Sequence, residues 1–387
     1  MISRVADHCF WLGRYIERAE STARLLQVTR ALAFDAELPP LHCWRPLMIV
    51  SGQFPEFSGH FGADAAGNGD IVQRYMTWAP ENPVSIRNSV RAAREGARSI
   101  REVLGHEIWQ ATNELYLWFA GEDAAASYVH DRDEVYRNIR RGTQLCLGLV
   151  RSTMLHDEPM DFLWLGVLLE RIGQTARILD MHHYIQGAAE GQQPLLQTAL
   201  WLSLLRACSG FEAYMRREQG RVSREAAVSF LLFEARFPRS LRYCVRSALA
   251  LARRLDVSGD KGAVTAARAR LDALDRWLDT QEAKDIPLTV HALLTHVVDE
   301  ASTACHELQQ ASRARPPSPP APRRKPPSSR APGGTGAPRR AYAPKQFSCW
   351  KSAGNSRGPI LLVWRQRRHS AFRFTMPVTV RWTASSG

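Results

Sequence analysis

Residues 10–28 read FWLGRYIERAESTARLLQV, and residues 163–181 read LWLGVLLERIGQTARILDM. A shift of 153 positions aligns W-L-G, E-R, T-A-R and a leucine, nine identities in nineteen. Shared helix propensity does not fix identities at that density, so the chain carries an internal repeat. At ~100° per residue, the first copy gathers Leu12, Tyr15, Ala19, Ala23 and Leu26 on one side. Gly13, Arg14, Glu17, Glu20, Ser21 and Arg24 fall on the other, which for a lone helix reads as a solvated polar face. The second copy repeats the division, with Leu165, Leu168, Ile172 and Leu179 opposite Gly166, Glu170, Gln174 and Arg177. A glycine inside a helix costs ~1 kcal/mol against alanine, so its recurrence one turn before each glutamate implies close approach of a backbone or ligand. The candidate site residues are Glu17, Arg18, Arg24, Glu170, Arg171 and Arg177, presented by two related helices to a shared polar interior.

Outward from the repeat, the periodicity is helical throughout. Helices are expected over about 6–34, 86–104, 107–120 and 132–154, with further ones to 310. Ser85 suits an N-cap, and Pro238 a first helical position. Residues 40–80 are rich in glycine, proline and aromatics. They read as loop with short helices near Leu47 and over 71–78, forming either a lid or a packed excursion. Within 86–104, Arg87, Arg91, Arg94, Arg98 and Arg101 are spaced by four, three, four and three, a stripe on one face. Such a stripe needs counter-charge, supplied by carboxylates of the same bundle or by a phosphate or acidic partner.

The net charge of +13 suggests nucleic acid, but its distribution does not. Residues 313–387 hold 16 of the 51 Lys and Arg, no Asp or Glu, and 12 of the 22 prolines. That leaves 35 basic against 38 acidic residues in 1–312. The chain reads as an all-α, multi-helix bundle over 1–312 followed by a Pro/Arg-rich tail, 313–387, disordered by composition. The tail reads either as an electrostatic arm for nucleic acid or another acidic partner or as a dispensable extension, and the near-neutral body does not read as a nucleic-acid binder. Seven scattered cysteines without a CxxC, an N-terminus charged at Arg4, Asp7, Arg14 and Glu17, and no long apolar run point to a cytoplasmic, membrane-free protein.

Signs of self-sufficient catalysis are thin. Phosphate-loop and G-x-S-x-G motifs are absent, and Asp180-x-x-His183 is not matched by the Glu-x-x-His pairs of a di-metal bundle. His291 and His296 are five apart, a poor spacing for metal ligands on one helical face. Cys9 beside His8 keeps cysteine–histidine chemistry open. No metal or cofactor is indicated.

The opening MISRVADHCFWLGRYIERAESTARLL resembles the alpha-E family, bacterial all-helical proteins with a shared Glu-Arg motif. The likeness extends through Asn82-Pro83-x-Ser85, Ala93-Arg94-Glu95, Asn113-x-Leu115-Tyr116, the second Glu170-Arg171, Glu212-Ala-Tyr214 and Phe237-Pro238-Arg239-Ser240. It departs at Asp7-His8-Cys9, and at Ile172-Gly173, where the family usually has alanine and an acid. The resemblance implies Glu17-Arg18 and Glu170-Arg171 as signature pairs. It also implies partnership with ATP-grasp or transglutaminase-like proteins in peptide ligation or modification. Three roles are open to the Glu-Arg interior: docking in a non-catalytic accessory subunit, an enzyme or metal- or ligand-binding bundle using Glu17 and Glu170, and purely structural pairing.

Overall fold

The computed structural model describes residues 3–35, 38–186, 194–219, 222–257, 263–281 and 286–313, and its regular elements are all helical. They are α1 (Ser3–Asp35), α2 (Pro40–Val50), α3 (Phe54–Phe61), α4 (Gly69–Trp78), α5 (Ile86–Ser99), α6 (Arg101–Leu104), α7 (His106–Ala120) and α8 (Glu122–His130). The second half continues with α9 (Arg132–Thr153), α10 (Glu158–Gln186), α11 (Pro194–Ala207) and α12 (Phe211–Glu218). It closes with α13 (Arg224–Phe233), α14 (Leu241–Val257), α15 (Ala263–Thr280) and α16 (Ile286–Arg313). The tail expected from residue 313 lies outside the described residues beyond Arg313, as does Cys349.

The two copies of the repeat are the two central helices, α1 and α10. The face of α1 that read as solvated is buried. All eight residues from Ala19 to Leu26 are buried, and on α10 so are all nine from Leu165 to Gly173. A helix enclosed on every side lies inside a bundle, so its polar stripe must find partners in the interior.

Each central helix anchors a four-helix group. α1 packs on α5 and α9, which are bridged by α7, whereas α10 packs on α14 and α16, bridged by α15. The repeat in sequence is therefore a repeat in architecture. Each group is entered by the same punctuation, Asn82-Pro-Val-Ser85 before α5 and Phe237-Pro-Arg-Ser240 before α14. Ser85 Oγ accepts from the Asn88 amide at 3.2 Å, and Ser240 Oγ from the Tyr243 amide at 3.1 Å. Both satisfy first-turn donors that a helix leaves unpaired.

Residues 40–80 are a packed excursion rather than a loop. α2, α3 and α4 bury Trp44, Leu47, Met48, Phe57, Tyr75 and Met76. α3 escaped the sequence reading because its phenylalanines sit among glycines and a proline. The helix expected over 86–104 breaks at Ile100, whose φ of −127° and ψ of 27° end α5. Arg101 therefore starts a separate short turn.

The two central helices run parallel and touch through their repeated glycines. A Cβ added at Gly13 would strike the Leu163 carbonyl oxygen, and one at Gly166 the Phe10 carbonyl oxygen. Residues 10 and 163, and 13 and 166, are equivalent under the 153-residue shift, so the contact is exchanged about a local pseudo-twofold axis. Backbone cannot retreat as a side-chain end can. Gly13→Ala and Gly166→Ala should each destabilise the fold by about 2–3 kcal/mol in chemical denaturation. Gly148→Ala, at an exposed helical position with no atom near the added methyl, should stabilise by about 0.5–1 kcal/mol.

Candidate functional site

One turn beyond the exchanged glycines, the Glu-Arg pairs exchange in the same way. Arg171 Nη2 donates to Glu17 Oε2 at 2.8 Å, and Arg18 donates from Nε and Nη2 to the two oxygens of Glu170 at 2.7 and 2.8 Å. Each motif's arginine thus serves the other motif's glutamate. Neighbours on one helix could not do this, because residues i and i+1 point apart. Two parallel helices held at glycine distance can.

Around Glu17 the cluster is closed. Arg239, from the turn before α14, donates to Glu17 Oε1 at 2.6 Å and to Glu20 Oε2 at 2.9 Å. Arg24 is ion-paired with Glu20 and donates to the Ala207 carbonyl at 3.4 Å. Ser21 Oγ donates to Glu17 Oε1 at 3.2 Å. Glu17 and Glu20 are fully buried, and Arg24 is only 2% exposed. Burial alone would raise the Glu17 carboxyl, but the charges of Arg171 and Arg239 overcome it and hold the pKa at about 2.

Around Glu170 the cluster differs. Arg14 Nε donates to Glu170 Oε2 at 2.9 Å, adding to Arg18, and Gln174 Nε2 donates to Oε1 at 3.2 Å. Arg14 also lies over the Trp11 ring, 4.6 Å from its centroid. Burial again opposes ionisation and is outweighed, by Arg18 and then Arg14, so the Glu170 carboxyl sits far below the usual range. Arg14, Arg18, Gln174 and Arg177 line a cavity of about 100 Å³, closed on its apolar side by Leu47, Val50, Met76 and Val84.

The structure brings five of the six expected residues into direct ion pairs: Glu17 with Arg171, Glu170 with Arg18, and Arg24 with Glu20. Arg24 and Glu17, which share a face two turns apart, do not pair directly, because Glu20 stands between them at i,i+4. Arg177 reaches the cavity but makes no hydrogen bond or ion pair among the described residues. The arginine stripe does not supply the counter-charge for the central glutamates. Arg94 and Arg98 pair with Glu95 on their own helix, Arg94 also donates to Asn113, and Arg91 to Asn88. Arg94 and Arg101 also lie over the Tyr116 and Trp109 rings, and Arg87 is exposed. The partner that sequence reasoning missed is Arg239, 222 residues from Glu17. Arg14 and Glu20 were visible on the polar side of the wheel, but nothing in their spacing marked them as partners of the central cluster.

Other candidate chemistry finds no assembled site. Cys9 is fully buried, and burial, with Asp157 adding to it, pushes its thiol up to about 12, far from a reactive thiolate. Asp180 and His291 bond to each other at 2.7 Å, with the His183 ring stacked on His291. Among the described residues, no three His, Cys, Asp or Glu side chains come together as a metal site. No helix among them is long and apolar enough to cross a membrane.

Residues 1–311 match the family model Alpha-E, described as a predicted alpha-helical domain with a conserved ER motif. Uncharacterized proteins of Mycobacterium bovis and Mycobacterium tuberculosis are 28% identical to this chain over 265 residues. The match covers 62% of this chain and 28% of each relative, so the chain spans little more than a quarter of their length. No solved structure matches it.

The closed cluster yields two expected outcomes. Glu17→Gln leaves Arg171 without its anion and Arg239 with Glu20 alone, and should destabilise by about 3–5 kcal/mol. Adding Arg171→Gln should cost less than the sum of the single changes, a coupling that a double-mutant cycle in urea would measure. Because the folded pKa of Glu17 lies below its ordinary 4.5, its contribution is complete above pH 4.5 and lost as pH falls toward 2. Wild-type stability should therefore fall across that window, and Glu17→Gln should flatten the slope.

Proposed function

This chain belongs to the Alpha-E family, and we propose that it acts as a non-catalytic helical partner in a cytoplasmic peptide-ligation or peptide-modification system of the ATP-grasp type. The observation that carries this reading is the commitment of the signature carboxylates. Glu17 and Glu170 each accept from two arginines, and both are held far below neutrality. A carboxylate with a pKa of about 2 is a feeble base near pH 7, where an effective general base sits within a few units of the ambient pH. Acting as metal ligands would likewise require stripping each glutamate of both arginines. The motif thus supports assembly of a rigid module better than chemistry.

A rigid module needs a face for its partner, and α5 offers one. Arg87, Arg91, Arg98 and Arg101 are exposed, and among the described residues Glu95 is the only carboxylate that pairs with any of them. An acidic surface on an ATP-grasp or transglutaminase-like protein would complement that stripe. The mycobacterial relatives are consistent with this reading, since they carry the matching segment within a much longer polypeptide. On this reading, residues 1–312 carry the role and 313–387 are a dispensable extension.

The test is co-purification of the tagged full chain with the ATP-grasp and transglutaminase-like proteins encoded beside its gene. A stoichiometric complex is expected, weakened at least tenfold by Arg91→Glu with Arg98→Glu and unchanged by removal of 313–387. Failure of either candidate to bind, or a catalytic turnover that Glu17→Gln abolishes without unfolding the chain, would overturn the reading.

A further inference from the structure

The two halves of the bundle are equivalent in backbone and unequal in side chains, and the inequality falls on one place. Under the 153-residue shift, Glu17, Arg18 and Arg24 correspond to Glu170, Arg171 and Arg177, but Glu20 corresponds to Gly173. In the turns that open α5 and α14, Pro83-Val84-Ser85 corresponds to Pro238-Arg239-Ser240. The Glu17 cluster is completed by Glu20, which holds Arg24, and by Arg239, which bridges both glutamates. At the other cluster both completing side chains are absent, and Val84 lines a cavity instead.

The vacancy is charged. Arg14, Arg18 and Arg177 face it with Glu170 as their one carboxylate, an excess of two positive charges. Arg14 and Arg18 are bonded to Glu170, whereas Arg177 has no ion pair among the described residues. The Arg177 guanidinium leans over Gly173 instead, its Nη1 3.1 Å from where a Cβ would stand. Burial lowers the Arg177 pKa, and the opposing pull of Glu170 is eroded by Arg18 and Arg14, the condition of a cation short of an anion. Partly buried, unpaired arginine is costly, and its planar fork suits a carboxylate or phosphate. The opposite wall of the cavity is aliphatic, from Leu26, Leu47, Val50 and Met76.

We propose that this cavity is a binding site for a small carboxylate carrying an apolar substituent, its carboxylate pairing with Arg177 in the position that Glu20 fills in the other half. The volume of about 100 Å³ admits a group of amino-acid side-chain size, several times the ~10–15 Å³ that one water needs. The ligand's anion supplies the charge missing at Gly173, and its substituent meets the aliphatic wall. This site goes beyond the partner role and does not depend on α5, so loss of either function leaves the other standing.

Isothermal titration of the full chain with N-acetyl-leucine, N-acetyl-leucine amide and inorganic phosphate tests it. N-acetyl-leucine should bind at least tenfold more tightly than the amide, which has the same apolar body and no charge. Arg177→Gln should lose that binding at least tenfold. Gly173→Glu should also lose it while raising the melting temperature, because the new carboxylate reproduces Glu20 and pairs with Arg177. That second variant keeps the test meaningful if Arg177→Gln folds poorly. Equal binding of acetyl-leucine and its amide, phosphate binding as tight as acetyl-leucine, or acetyl-leucine binding undiminished in Gly173→Glu would each overturn the assignment. So would the absence of acetyl-leucine binding to the wild-type chain.

Discussion

Everything in this bundle depends on how closely α1 and α10 approach. Gly13 and Gly166 let each helix rest its backbone against a carbonyl of the other, at a separation that a single methyl would forbid. At that separation, side chains one turn further on reach across the seam, and Glu17 meets Arg171 as Glu170 meets Arg18. The glycines and the charged pairs are one device. Without the glycines the arginines could not cross with bonds of 2.7–2.8 Å, and without the crossed pairs each buried carboxylate would keep a single arginine, Arg239 at Glu17 and Arg14 at Glu170.

Around that seam the chain is built twice. α1 gathers α5, α7 and α9, and α10 gathers α14, α15 and α16, each group entered through a proline two residues ahead of a serine cap. Duplication explains why the exchanged contacts are symmetric, since a pseudo-twofold axis maps each onto the other. It also makes departures from symmetry informative. Replacing an acid by Gly173 and an arginine by Val84 removes a closing ion pair from one half, and what remains is a cavity with surplus positive charge. Such substitutions weaken a bundle unless something else supplies the anion.

Buried ion pairs are poor evidence of added stability, because desolvation offsets most of their attraction. Their value lies in specificity. Each arginine has one geometry in which it satisfies a glutamate of the other helix, which fixes the register of α1 against α10. The same commitment lowers both carboxyl pKa values and removes them from acid–base chemistry near neutrality.

The repeat, its helical period, the recurring glycine ahead of each glutamate and the all-helical class were legible in the chain, because periodicity and identity are local properties. The resemblance to the Alpha-E family rested on blocks whose order is also written in sequence. The burial of the polar face was not legible. One amphipathic helix looks the same whether its charged side meets water or another helix, and only the enclosure of Ala19 to Leu26 decided it. The partner of Glu17 was equally out of reach, since Arg239 arrives from 222 residues away and the regular stripe from Arg87 to Arg101 was the more visible source of charge. The stripe instead bonds within and beside α5 and faces outward. Sequence determined which residues could carry charge and helix. Tertiary packing decided which charges share the dry interior, because that depends on distances between segments that no local pattern encodes.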